Sequence, residues 1–189
     1  MSDLYPQFQQ RLTAVGGECY RVANLEEAAA IIAAHDALAQ KEIVIPPRFC
    51  ELQPWGALLP LLSDQGIRIR EAQSAASVAD APAGLSAALL AVAETGSVLL
   101  AENALEARIV GMLTLTHFVL VRAGDLVAML DDMGARLPQL TQSGAQQRHY
   151  ISLVTGPSRT ADIERTLTVG VQGPKALCVL VVNDQKAEL

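Results

Sequence analysis

The sequence predicts an α/β fold: a single domain in which a mostly parallel sheet is flanked by helices. Three observations predict it. Short apolar, strand-like runs alternate along the chain with helical stretches, the pattern of a sheet covered by helices. A length of 189 residues suits one domain with a substantial core. Apolar residues make up 51% and charged residues 18%, the balance of a folded globular chain. No internal repeat or low-complexity tract interrupts the pattern. The expected domain runs over 1–184, with 185–189 a short polar tail.

Each element has a local reason. Leu4, Phe8, Leu12 and Val15 recur at helical spacing, so 4–14 reads as a helix, ended by Gly16-Gly17. A short strand is expected over 18–22. Asn24, with Glu27 three residues on, resembles a capping box ahead of an alanine-rich helix over 25–39. The strand at 43–45 stops at Pro46-Pro47, because proline has no N–H for the ladder. Pro54, Gly56 and Pro60 break 48–62 into one or two short helices, and a strand over 67–70 follows the turn at Asp64-Gln65-Gly66. Residues 71–82 are polar, small and weakly structured. Two strands, 89–93 and 97–101, flank a tight bend or bulge at Glu94-Thr95-Gly96, where the glycine supplies permissive backbone. A short helix is expected over 105–113 and a β-branched, aromatic strand over 116–121. Gly124-Asp125 opens a further helix with Leu126, Met129, Leu130, Met133 and Leu137 as its core-facing stripe, and 138–148 is a polar loop. The last unit is a strand at 151–154, a polar loop, a polar helix, the turn Gly170–Pro174 and a strand at 176–182.

That last unit carries most of the candidate chemistry. A loop that ends a strand and opens a helix presents free backbone N–H groups and the positive end of the helix dipole, a reasonable anion site. Gly156 lies in this loop. Ser158 and Thr160 have two roles open to them: capping the helix, or donating hydroxyls to a ligand. Arg159 suits a two-point grip on a carboxylate or phosphate, or a pairing with Asp162 or Glu164. Asp162, in the first turn, either complements the dipole or positions Arg159. Gln172, beside Gly173, offers an amide where backbone can approach a ligand closely, or simply faces solvent in a connecting turn. Upstream, Glu94 is a candidate acid, base or nucleophile if held between its strands, and a turn glutamate otherwise; Thr95 and Gly96 complete that element.

Other classes are excluded or disfavoured. Lys plus Arg is 14 against 20 for Asp plus Glu, a net charge of −6, and no basic stripe or nucleic-acid motif is present. No apolar run approaches the length of a membrane span, and the N-terminus has neither a basic start nor a long apolar centre, so a cytoplasmic chain is expected. Cys19, Cys50 and Cys178 are scattered and read as free, buried thiols; no cofactor bound by this chain is expected, and no metal site. His35, His117 and His149 lack metal-ligand spacing and read as packed or surface histidines. Walker, nucleophile-elbow and dinucleotide-binding patterns are missing.

The elements Ala93-Glu94-Thr95-Gly96-Ser97, Thr155 to Glu164 (TGPSRTADIE) and Gly170-Val171-Gln172-Gly173-Pro174 together resemble the signature of the LUD-domain proteins, specifically the lactate-utilisation protein C (LutC/YkgG) type. The resemblance extends from the N-terminal helix to Val182. It implies the α/β fold shared by sugar-phosphate isomerases, CoA transferases and formyltetrahydrofolate cyclo-ligases. It also implies an auxiliary role in oxidising L-lactate to pyruvate beside iron–sulfur partner proteins, with the clusters in the partners. The family's last motif usually reads GVHGP, and Gln172 stands where that histidine does. An amide cannot titrate, so a proton-transfer role is lost there while hydrogen bonding survives. Two other readings stay open: a stand-alone enzyme acting on a small anionic metabolite, with Glu94 as its reactive group, and a ligand-sensing or interaction module.

Overall fold

The computed structural model describes residues 3–144, 147–160 and 168–183. Its strands in chain order are β1 (Glu18–Val22), β2 (Glu42–Ile45), β3 (Arg68–Glu71), β4 (Ala83–Ala87), β5 (Leu90–Val92) and β6 (Ser97–Ala101). They continue with β7 (Thr116–Arg122), β8 (Leu126–Val127), β9 (Ile151–Val154), β10 (Arg159–Thr160), β11 (Thr168–Val169) and β12 (Ala176–Val182). The helices are α1 (Tyr5–Ala14), α2 (Leu25–Ala34), α3 (Leu58–Asp64), α4 (Ala75–Val78), α5 (Leu105–Leu113), α6 (Leu130–Gly134) and α7 (Leu137–Thr141).

Six strands form one sheet in the order β1-β12-β7-β4-β2-β3, every pair parallel. Parallel sheets are covered on both faces, so their central strands read as continuous apolar runs, as β7 and β12 do. Alternation along the strands divides the core. Phe118, Leu120, Cys178 and Leu180 face α2 and α3. Val119, Val121, Val179 and Val181 face the other way, onto Phe8 and Leu12 of α1 and onto a second sheet. That second sheet has the order β8-β5-β6-β9, antiparallel at β5–β6 and β6–β9 and parallel at β5–β8. On the same side, α4 and α5 supply Val78, Ile109 and Val110 against Val44 of β2.

Several sequence expectations change. The helix from Leu25 ends at Ala34, not residue 39: His35 turns extended (ψ 141°) and its Nδ1 accepts the Ala37 N–H at 3.1 Å, starting a 3-10 turn. The region 71–82 contains α4, capped by Ser74. β4 is an addition to the expected strands; its small residues make room for α5, and a Cβ on Gly84 would lie 2.7 Å from Thr114 Oγ1. The helix expected from Gly124 is a 3-10 turn, then β8, then α6, because Leu126 and Val127 join the ladder beside Ala91 and Val92. Its supposed core stripe is broken: Met129 is 48% exposed and Leu130 38%. Pro138, compatible with a helix's first turn, lies in α7 in place of the expected loop. The final unit is also not one layer: β9 joins the second sheet and β12 the first. Arg159 and Thr160 form β10, paired antiparallel with β11, in place of the expected helix start. Asp162, with most of the expected polar helix, lies outside the described residues. Cys19 and Cys178 are buried but Cys50 is exposed. Among the described residues no helix is long and apolar enough to cross a membrane.

Candidate functional site

Gly156, Ser158, Gln172 and Gly173 come together. The Ser158 N–H donates to the Pro174 carbonyl at 2.9 Å, and the Gly170 N–H donates to the Ser158 carbonyl at 2.8 Å. With the β10–β11 pair, these bonds stitch the two glycine-rich segments side by side. Gly173 permits the contact: its φ is +154°, and a Cβ there would lie 2.9 Å from Ser158 Cβ. The two segments wall a cleft of about 270 Å³, whose floor is His117 at the start of β7 and Leu177 at the start of β12. Met112, 49% exposed near the end of α5, also lines it. The cleft therefore opens where main-sheet strands begin, not at the strand ends where such sheets usually bind ligands.

Thr95 reaches the cleft through hydroxyls. Ser97, 1% exposed, donates its single Oγ hydrogen to Thr95 Oγ1 at 2.8 Å, so Thr155 is the donor in its 2.6 Å contact with Ser97. Thr155 lines the cleft. Gly96 fixes the hairpin against α1: with φ +69°, a Cβ would fall 2.4 Å from the backbone nitrogen of Leu12. Glu94 takes a different direction. Its N–H donates to Ala128, and its Oε2 accepts the Leu130 N–H at 2.9 Å, at the first turn of α6. It is not among the residues that wall the cleft, and neither are Arg159, exposed on β10, and Thr160.

The sequence motifs pass over the polar groups deepest in the protein. His117 is fully buried, and Ser86, 2% exposed, places its Oγ 2.9 Å from His117 Nε2. Sheet register makes the pair. Gly84 of β4 stands opposite His117 of β7, which puts Ser86 two residues along on the same face. Burial lowers His117 to about 4, so its ring is neutral near pH 7, and its Nδ1 has no hydrogen-bond partner among the described residues. The available signal is a lone polar residue inside an apolar strand, which is usual for packed histidines and so carries little. Among the described residues no group of three His, Cys, Asp or Glu side chains could hold a metal ion.

The LUD domain model matches residues 5–182. The chain belongs to the LUD-domain family. The matched span of this LUD domain runs from α1 to β12, so the motif loops, the cleft and the Ser86–His117 pair all lie within it. The chain is 30% identical over 170 residues to lactate utilization protein C of Bacillus licheniformis, covering 82% of this chain and 71% of that protein. It is 34% identical over 110 residues to the Shouchella clausii protein of the same name, covering 58% of this chain and 47% of that protein. A crystal structure of a DUF162 family protein from Deinococcus radiodurans shares the fold, with a TM-score of 0.68 at 22% identity over 96% of this chain and 99% of that one. The aligned stretch spans about half of the Shouchella protein's length.

Proposed function

We propose that this LUD domain serves L-lactate utilisation, as an auxiliary component acting with iron–sulfur partner proteins that oxidise L-lactate to pyruvate. The observation that carries the reading is the 30% identity to lactate utilization protein C of Bacillus licheniformis over 82% of the chain. Oxidation of lactate to pyruvate releases two electrons and two protons; in this reading the partners' clusters take the electrons. The cleft would hold a small anionic metabolite against Ser158, Gln172 and the backbone at Gly156 and Gly173, with the exposed Arg159 of β10 next along the chain from Ser158. Gln172 fits a hydrogen-bonding duty and not a proton-transfer one.

A second reading, an enzyme in its own right, is favoured by one observation: a fully buried imidazole lines the cleft with one nitrogen unpaired among the described residues. Two experiments separate the readings. Deleting the gene should abolish growth on L-lactate, and the tagged protein should co-purify with iron–sulfur proteins; unchanged growth overturns the auxiliary role. A thermal-shift screen of the purified chain with lactate, pyruvate, CoA esters and sugar phosphates, repeated with Arg159→Ala, should show one class of anion raising the melting temperature less in the variant. Turnover of a screened anion without any partner would favour the enzyme.

A further inference from the structure

A strand at the edge of a sheet leaves a row of N–H and C=O groups without a ladder partner, and proteins blunt such edges with charge, proline or shortness. Three of the four edges of the two larger sheets are blunted in this way. β1 carries Glu18 and Arg21, β3 carries Arg68, Arg70 and Glu71, and β8 is two residues long. The fourth edge is β9, Ile151-Ser152-Leu153-Val154, which has neither charge nor proline.

Register on β6 sets where the backbone groups of β9 point. The Glu102 N–H donates to the Tyr150 carbonyl at 3.0 Å, and the next residues along stand opposite one another as Leu100 with Ser152 and Val98 with Val154. Antiparallel ladders bond every second pair, so Tyr150, Ser152 and Val154 turn their backbone groups to β6. Ile151 and Leu153 turn theirs outward, where they meet no partner among the described residues. Their side chains share one face. Ile151 packs on the cluster of Leu90, Val92 and Leu99 that Met133 of α6 and Leu140 of α7 also cover, whereas Leu153 is 40% exposed.

The partner such an edge selects is extended, apolar and uncharged. Tyr150 to Ser158 contains no acidic or basic side chain, so a charged strand would find no counter-charge there. β9 itself meets the description. A copy turned about a two-fold axis through Leu153 is self-complementary: each Leu153 N–H meets the other copy's Leu153 carbonyl, and the two Leu153 side chains lie side by side. Like charges are kept apart. Arg148, before the strand, acts on the Glu102 carboxyl, and Arg159, after it, leaves the line of β9 by pairing into β10–β11. Leu153 also lines the cleft between the motif loops, so the axis brings the two copies' clefts close to each other.

We propose that the β9 edge pairs antiparallel with β9 of a second copy of this chain, forming a two-fold dimer whose axis passes through Leu153 beside the two clefts. The dimer is independent of the lactate reading, because it concerns the purified chain alone.

Sedimentation equilibrium of the intact chain, with amide hydrogen exchange on dilute and concentrated samples, tests it. A concentration-dependent dimer is expected. The Ile151 and Leu153 amides should exchange freely in the dilute sample and slowly in the dimer, while Ser152 and Val154, bonded to β6, are protected in both. Leu153→Lys sets like charges against each other on the axis and removes apolar contact, and should weaken dimerisation roughly tenfold or more. Leu153→Pro removes the outward N–H without touching the β6 ladder and should act in the same direction, serving where the lysine variant does not fold. Leu52→Lys, at an exposed apolar residue after β2, should leave the dimer unchanged. A monomer at every concentration overturns the proposal: a protected Leu153 amide in that monomer would assign the edge to a segment of the chain itself, and an unprotected one to a different partner. A dimer unaffected by Leu153→Lys and Leu153→Pro, one weakened equally by Leu52→Lys, or one with Ile151 and Leu153 unprotected overturns it as well.

Discussion

Burying an imidazole at the start of β7 costs it its proton. With His117 fully buried, its folded value falls to about 4 from an ordinary 6.5, the cause being desolvation. The sign of the consequence is fixed. As pH falls through 6.5 the unfolded chain takes up a proton that the folded chain refuses, so stability is lost between pH 6.5 and about 4 and the loss levels off below that. A fall of that size corresponds to a loss on the order of 3 kcal/mol. His117→Gln, whose amide can still bond Ser86 and does not titrate, should remove that component. Urea titrations of both proteins from pH 7 to pH 4 should show their stabilities diverging in this window, the variant losing less. Parallel curves would mean that His117 ionises freely in the folded protein.

At the scale of elements, the β5–β6 hairpin joins distant parts of the chain. Its turn gives Glu94 to the first turn of α6, Thr95 to the hydroxyl chain ending at Thr155, and Gly96 to the backbone of α1. Glu94→Ala removes a charge-assisted cap and should cost about 1 kcal/mol. Gly96→Ala places a methyl 2.4 Å from Leu12 N at a positive φ and should cost more, about 1–3 kcal/mol or a displaced α1. Chemical denaturation of the two variants checks the order; equal costs would mean that the turn moves freely off α1. The hairpin is legible in the sequence because two apolar runs around a glycine have one simple solution. β4 is not, since Ala83-Gly84-Leu85-Ser86-Ala87 is small-residue chain shaped by the close approach of α5. Nor is the break-up of the Leu126–Leu137 stripe: helical spacing is present, but ladder pairing of β8 with β5 overrides it. The same division holds at the site. Ser158, Gln172 and Gly173 stand in local motifs that a linear reading finds. Ser86 and His117 come from two separate strands and meet only through strand register.

At the scale of the whole molecule, two sheets share one interior. Val119, Val121, Val179 and Val181 of the parallel sheet lie in the same cluster as Ala91, Val98 and Leu100 of the second sheet and its hairpin, with Phe8 and Leu12 of α1 among them. α1 is therefore a wedge between layers, not a covering helix on one of them, and both the hairpin turn at Gly96 and the loop at Gly156 rest on its last residues and C-cap. A cleft walled by loops from both sheets keeps its shape only while this wedge holds. Leu12 is fully buried, and Leu12→Ala should cost about 2–5 kcal/mol through lost burial and the cavity left behind. The informative readout is where the loss is felt. If the interior is one cooperative unit, native-state hydrogen exchange at Val98 in the second sheet and at Val179 in the parallel sheet should speed up by the same factor. Faster exchange at Val98 alone would show that the second sheet opens by itself, and the cleft would then be framed by two units able to part when a ligand enters.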